Sequence, residues 1–139
     1  MEVMERIMKS IDVLVIVDTQ GALTSNDLHN NVYLVDTNKF FGSYQQGQPE
    51  LVTNCYDTQT INWRVMSINP GNDVQINRFT GEMVNMQVCV PKKLGTVQDT
   101  FWQGIVQSRG ALRRYQYSIE LIFNGTKTLN FDPYINVRG

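Results

Sequence analysis

A chain of 139 residues with 42% hydrophobic and 18% charged side chains is about one domain long, large enough to fold without metal or disulfides. Its 12 basic and 13 acidic residues nearly cancel, and Lys92-Lys93 and Arg113-Arg114 are isolated doublets, so the clustered cations of a nucleic-acid footprint are missing. The longest apolar run, Val13 to Val17, is five residues against about twenty for a membrane-spanning helix, so no membrane partner is expected.

Residues 1–10 read as an N-terminal extension, with one or two amphipathic turns through Val3, Met4, Ile7 and Met8, and residues 11–139 as a single domain. The start has neither an h-region nor a small-residue cleavage site, which predicts a cytoplasmic chain. In that compartment Cys55 and Cys89 are expected to be reduced, buried small hydrophobes.

From Ile11 onward the apolar residues run continuously or alternate with period two, the signature of strands. Ile11 to Thr19, "IDVLVIVDT", is apolar on both faces: Ile11, Val13, Val15 and Val17 on one, Leu14 and Ile16 on the other. Such a strand is either covered twice by its own chain or buried on its second face by another subunit. Leu14 and Ile16 are therefore the candidate interface residues of a homo-oligomer, a dimer in the first instance. A near-zero net charge, which gives little repulsion between copies, points the same way.

Further along, Ile61, Trp63 and Val65 alternate with polar neighbours, as do Val84, Met86, Val88 and Val90, and, less cleanly, Trp102, Gly104 and Val106. "NPGND" at 69–73 is a turn. Tyr115, Tyr117, Ile119, Leu121 and Phe123 share one face of a strand whose other face is polar. Asn124-Gly125 then supplies the pair that best tolerates a two-residue hairpin, and Leu129, Phe131, Ile135 and Val137 continue the inner parity. About nine strands with turn signals every 8 to 12 residues, and no alternating βα units, predict one all-β domain. The expected form is an antiparallel β-sandwich, jelly-roll-like or Ig-like.

Few groups could carry chemistry. His29 is the one histidine, no Gly-x-Ser-x-Gly elbow or phosphate loop occurs, and three scattered His and Cys side chains fall short of a structural zinc site. No catalytic residue, cofactor or zinc is expected. Asp18, Asp36, Asp57 and Asp132 stand at or near strand ends, where they could gather as a carboxylate pair or, with Asn69, Asn72 and Asp73, supply oxygen ligands for calcium. Asp is also an ordinary residue for leaving a sheet, and that reading of the repeated Asp-Thr pairs is preferred. Adjacent Phe101 and Trp102 cannot both face one core. Trp102, with Tyr44, is a candidate stacking platform for a glycan ligand.

The order of segments "IDVLVIVDTQGAL", "NNVYLVDTNKF", "GQPELVT", "INWRVMSINPGNDVQINRFTGEMV", "CVPKK", "FWQGIVQSRG", "YQYSIEL" and "FDPYINV" resembles the bacterial inclusion-body protein family, the PixA/AidA family, over about residues 9 to 138. The resemblance implies a β-sandwich that accumulates in the cytoplasm, with a density-regulated or host-interaction role and no catalytic residues to map. The chain has only 6 Met, three of them before residue 9, which speaks against methionine storage. A non-enzymatic, self-associating sandwich is thus the first expectation, and a carbohydrate-binding, lectin-like module, calcium-dependent or not, the alternative.

Overall fold

The computed structural model describes residues 9–38 and 42–139. The amphipathic turns expected before residue 9 lie outside the described residues. In chain order the elements are β1 (Ile11–Val17), helix α1 (Thr19–Ser25), a 3-10 turn (His29–Asn31), β2 (Val32–Asp36), β3 (Val52–Tyr56), β4 (Thr60–Ser67) and β5 (Val74–Thr80). There follow α2 (Glu82–Asn85), β6 (Lys92–Gly95), β7 (Thr100–Ile105), β8 (Arg114–Gln116), β9 (Ser118–Phe123), β10 (Lys127–Phe131) and β11 (Tyr134–Arg138).

The strands form three open sheets, ordered β2-β1-β4-β7-β6, β10-β9-β5 and β3-β11-β8. The all-β expectation holds, with eleven strands among the described residues where about nine were expected. Purely antiparallel pairing does not hold. β1 lies parallel to β4, from Ile11 opposite Ile61 to Val17 opposite Ser67, and β11 lies parallel to β3. Alternation reports which face a residue takes but not the direction of its neighbour. Here the parallel partners are joined by long excursions through other strands, not by βα crossovers.

The inner face of the five-stranded sheet packs on the other two sheets. Ile11, Val13, Val15 and Val17 of β1, Ile61 and Trp63 of β4, and Tyr115, Tyr117, Ile119, Leu121 and Phe123 are all buried in one core. Trp63 lies 4.9 Å from Phe79 and 5.8 Å from Tyr117, ring centre to ring centre, which ties the sheets together. The run from Arg114 to Phe123 keeps the inner parity the sequence shows but changes sheet at Tyr117, whose amide bonds Pro133 O instead of a sheet neighbour.

Two local expectations are corrected. Val84, Met86, Val88 and Val90 do not alternate along a strand. Residues 82–85 form α2, the Val88 amide returns to Met83 O, and the buried set is Met83, Val88 and Cys89, while Met86 and Val90 are exposed. Gly81, at φ 98°, turns the chain out of β5 and into this helix, a conformation other residues rarely adopt. The final hairpin joins β9 to β10 only, with Asn124 and Gly125 both at positive φ (51° and 72°). Phe123 pairs with Lys127, so the connection has three residues instead of two. β11 leaves after Pro133 and completes the third sheet between β3 and β8.

Candidate functional site

A cleft of about 300 Å³ with a mixed lining lies among β4, β5 and the β6–β7 hairpin. Val65, Val74, Ile76 and Trp102 give it apolar walls, and Arg64, Asp73, Gln75, Lys93, Gln98, Asp99 and Thr100 give it polar ones. It exists because β5 is an edge strand of one sheet while β6 and β7 end the other. Trp102 pairs with Trp63 on the inner face, half-buried, with Phe79 5.4 Å from its ring. Of the adjacent aromatics it is Phe101 that turns outward, and the Arg64 guanidinium lies 4.8 Å over its ring. Arg64 is fixed by Asp99 at 3.0 and 3.3 Å, and this pairing holds the Asp99 carboxyl below the usual carboxylate range.

A second surface is the outer face of the five-stranded sheet. Cross-strand register sets Val35, Leu14 and Arg64 in one row, continued by Phe101 and Leu94, and Tyr33, Ile16 and Met66 in the next. Leu14, Ile16 and Val35 are half-buried, and Tyr33 and Met66 remain 43% and 47% exposed. Beside these rows runs a ladder of polar side chains: Gln103 donates to Asn62, Asn62 donates to Asp12, and the Asp12 amide donates to the Thr37 hydroxyl. The face is therefore an apolar stripe, crossed by Arg64, with a hydrogen-bonded border.

The oxygen-bearing candidates divide. Asp18 caps α1, its carboxylate accepting from the Gly21 amide at 3.0 Å, and Asn69 Oδ1 accepts from the neighbouring Gln20 amide at 2.9 Å. Asp36 stands opposite Val13, at the other end of β1, about 17 Å from Asp18 at roughly 3.4 Å per strand residue. It is buried and saturated: Oδ1 accepts from the Asn38 amide and Gln46 Nε2, and Oδ2 from the Thr53 hydroxyl. Asn72 is half-buried in the turn before Asp73. Asp57 and Asp132 serve corners, Asp57 accepting from the Ser108 amide and hydroxyl and from the Gly110 amide, and Asp132 from the Ser118 hydroxyl. The strand-end acids do not meet at one end, and no three His, Cys, Asp or Glu side chains converge among the described residues.

Trp102 and Asp73, singled out from the sequence for different roles, do meet in the cleft. Tyr44 is elsewhere, bridged to the free edge of β3 through Val52, with Arg114 over its ring and donating to its hydroxyl. Gln75, Lys93 and Gln98 were not legible as site residues, because only folding brings their three segments together. Both cysteines are free and buried, and burial pushes the Cys89 thiol up to about 12 and raises the Cys55 thiol as well. His29 sits exposed in the 3-10 turn.

A family model described as a domain of unknown function, DUF8788, matches residues 9–129. The chain belongs to the DUF8788 family. The match runs from β1 into β10, so the cleft and the outer face both lie within the DUF8788 region. Among solved structures the chain is similar to the inclusion body protein, PixA, from Burkholderia cenocepacia J2315. That similarity has a TM-score of 0.69 and 12% identity over 94% of this chain and 92% of that one. At that identity the likeness is one of fold, which is how far the resemblance drawn from the sequence is met. No curated protein matches the chain.

Proposed function

We propose that this DUF8788 chain is a non-enzymatic, self-associating β-sandwich of the inclusion-body type. It accumulates in the cytoplasm as a density-regulated host-interaction or late-growth product, and its assembly unit is a homodimer. The observation that carries this reading is the outer face of the five-stranded sheet, where Leu14, Ile16, Tyr33, Val35 and Met66 form contiguous apolar rows that the described chain leaves partly open. An apolar patch bordered by polar residues is the usual mark of an association surface, and a two-fold contact lets one patch cover itself. The net charge of −1 opposes such contact only weakly. The fold likeness to a protein named for inclusion bodies supports the same reading. Among the described residues no helix is long and apolar enough to cross a membrane.

Sedimentation velocity over a range of micromolar concentrations tests it. The native chain is expected to sediment as a dimer that gives way to monomer in Ile16→Lys. Tyr33→Lys, at an exposed position, separates loss of association from loss of fold. A native chain that stays monomeric throughout overturns the proposal.

A further inference from the structure

We infer that the cleft at Trp102 is a binding site for one neutral, ring-shaped polyol, a single pyranose unit. The inference goes beyond the self-association reading and does not depend on it. A pyranose offers an apolar face of C–H groups and a rim of hydroxyls, each both donor and acceptor, so its site needs an aromatic wall and polar groups of both kinds. Trp102 lines the cleft and is braced by Phe79, which does not. Among the described residues the Asp73 carboxylate, an acceptor, receives only long contacts from Gln75 at 3.4 and 3.5 Å, which leaves lone pairs for hydroxyl donors. Lys93 has no carboxylate partner and the Gln98 amide no hydrogen-bond partner among the described residues, so a donor and a two-way group also face the space.

Charge decides the ligand class. Arg64 and Lys93 are balanced by Asp73 and Asp99, and Arg64 is already committed to Asp99, so no net positive field remains for a phosphate or a sulfate. The polar lining equally disfavours a lipid or another wholly apolar guest. A volume of about 300 Å³ sits at the lower limit of small-molecule sites and suits one ring.

The test is titration of the full chain with glucose, galactose, mannose, fucose and N-acetylglucosamine, read by calorimetry and by tryptophan fluorescence. Glycerol serves as the polyol without a ring face. Trp102 is the reporter, since Trp63 is fully buried and bonded to Tyr117. At least one sugar is expected to bind with a dissociation constant of about 1 mM and to change the fluorescence, while glycerol does not. Asp73→Ala and Gln98→Ala, both at exposed positions, are each expected to weaken that binding about tenfold without moving the melting temperature. Silence across the panel, or binding unchanged in both variants, overturns the inference. Sedimentation of the same variants is expected to match the native chain, so failure here leaves the association reading to its own test.

Discussion

Trp63 donates its indole N–H to the Tyr117 hydroxyl over 3.1 Å in the middle of the core, where both side chains are fully buried. Burial raises the Tyr117 phenol far above its ordinary value, so it stays neutral and available as that acceptor. Tyr117→Phe removes the acceptor and strands a buried donor, which costs about 1–3 kcal/mol. Urea unfolding is expected to show a lower midpoint at an unchanged slope, and an unmoved midpoint would show that the bond contributes nothing. Asp57 is a different case. Burial alone would raise its carboxyl, but the Ser108 amide and hydroxyl and the Gly110 amide outweigh that and hold it below the usual carboxylate range. A depressed folded-state value means the ionised form is favoured by the fold. Its stabilisation is full above the unfolded value of about 3.9 and is lost as pH falls through the lower folded value. Asp57→Asn is therefore expected to be less stable than the native chain at neutral pH, with the gap narrowing in acid melts below about pH 4.

Among the elements, four of the six sheet edges carry a covering bridge or lysines. The free side of β2 is bridged by Gln48 at Leu34, and that of β3 by Tyr44 at Val52. β6 is exposed throughout and carries Lys92 and Lys93, and the edge strand β10 begins with Lys127. Lysines and covering loops are the ordinary means of preventing strand addition, so these four edges are poor places for a second copy to pair. The interior strand β7 carries a tighter constraint. A methyl group at Gly104 would stand 2.5 Å from the Sγ of the buried Cys89. Gly104→Ala is expected to destabilise by about 1–3 kcal/mol through overpacking. In a Cys89→Ala background the same change is expected to cost less, a coupling that a double-mutant cycle in urea would measure. Equal costs in both backgrounds would place the strain elsewhere.

For the whole molecule, association and stability are linked by mass action. Because association stabilises the folded chain, the melting temperature of the native chain is expected to rise with protein concentration, and each tenfold increase adds at most about 1.4 kcal/mol. Tyr33→Lys, which charges an exposed position on the apolar rows, is expected to melt at one temperature at all concentrations. A native melting temperature independent of concentration would separate folding from assembly. The cleft and the outer face draw mainly on opposite sides of the same β4 and β7 strands, the cleft on Trp102 and Val65, the face on Phe101 and Met66, and they meet at Arg64, which belongs to both.

Face was written in the sequence; neighbour was not. Period-two alternation is a local consequence of strand geometry, so the inward set from Tyr115 to Phe123, the core place of Trp63 and the doubly apolar β1 were all legible before folding. Trp102 and Asp73 could each be picked out by residue type, though not as members of one cleft. Strand direction, the parallel β1–β4 and β3–β11 pairs, the change of sheet at Tyr117 and the meeting of Asp73, Lys93 and Gln98 around Trp102 belong to tertiary structure. The same is true of the length of β1 that parts Asp18 from Asp36. These depend on which distant strand fills the adjacent hydrogen-bonding edge, and backbone donors and acceptors are the same for every sequence. The choice is made by packing across the core, where residues far apart in the chain must fit together, and no local pattern carries that information.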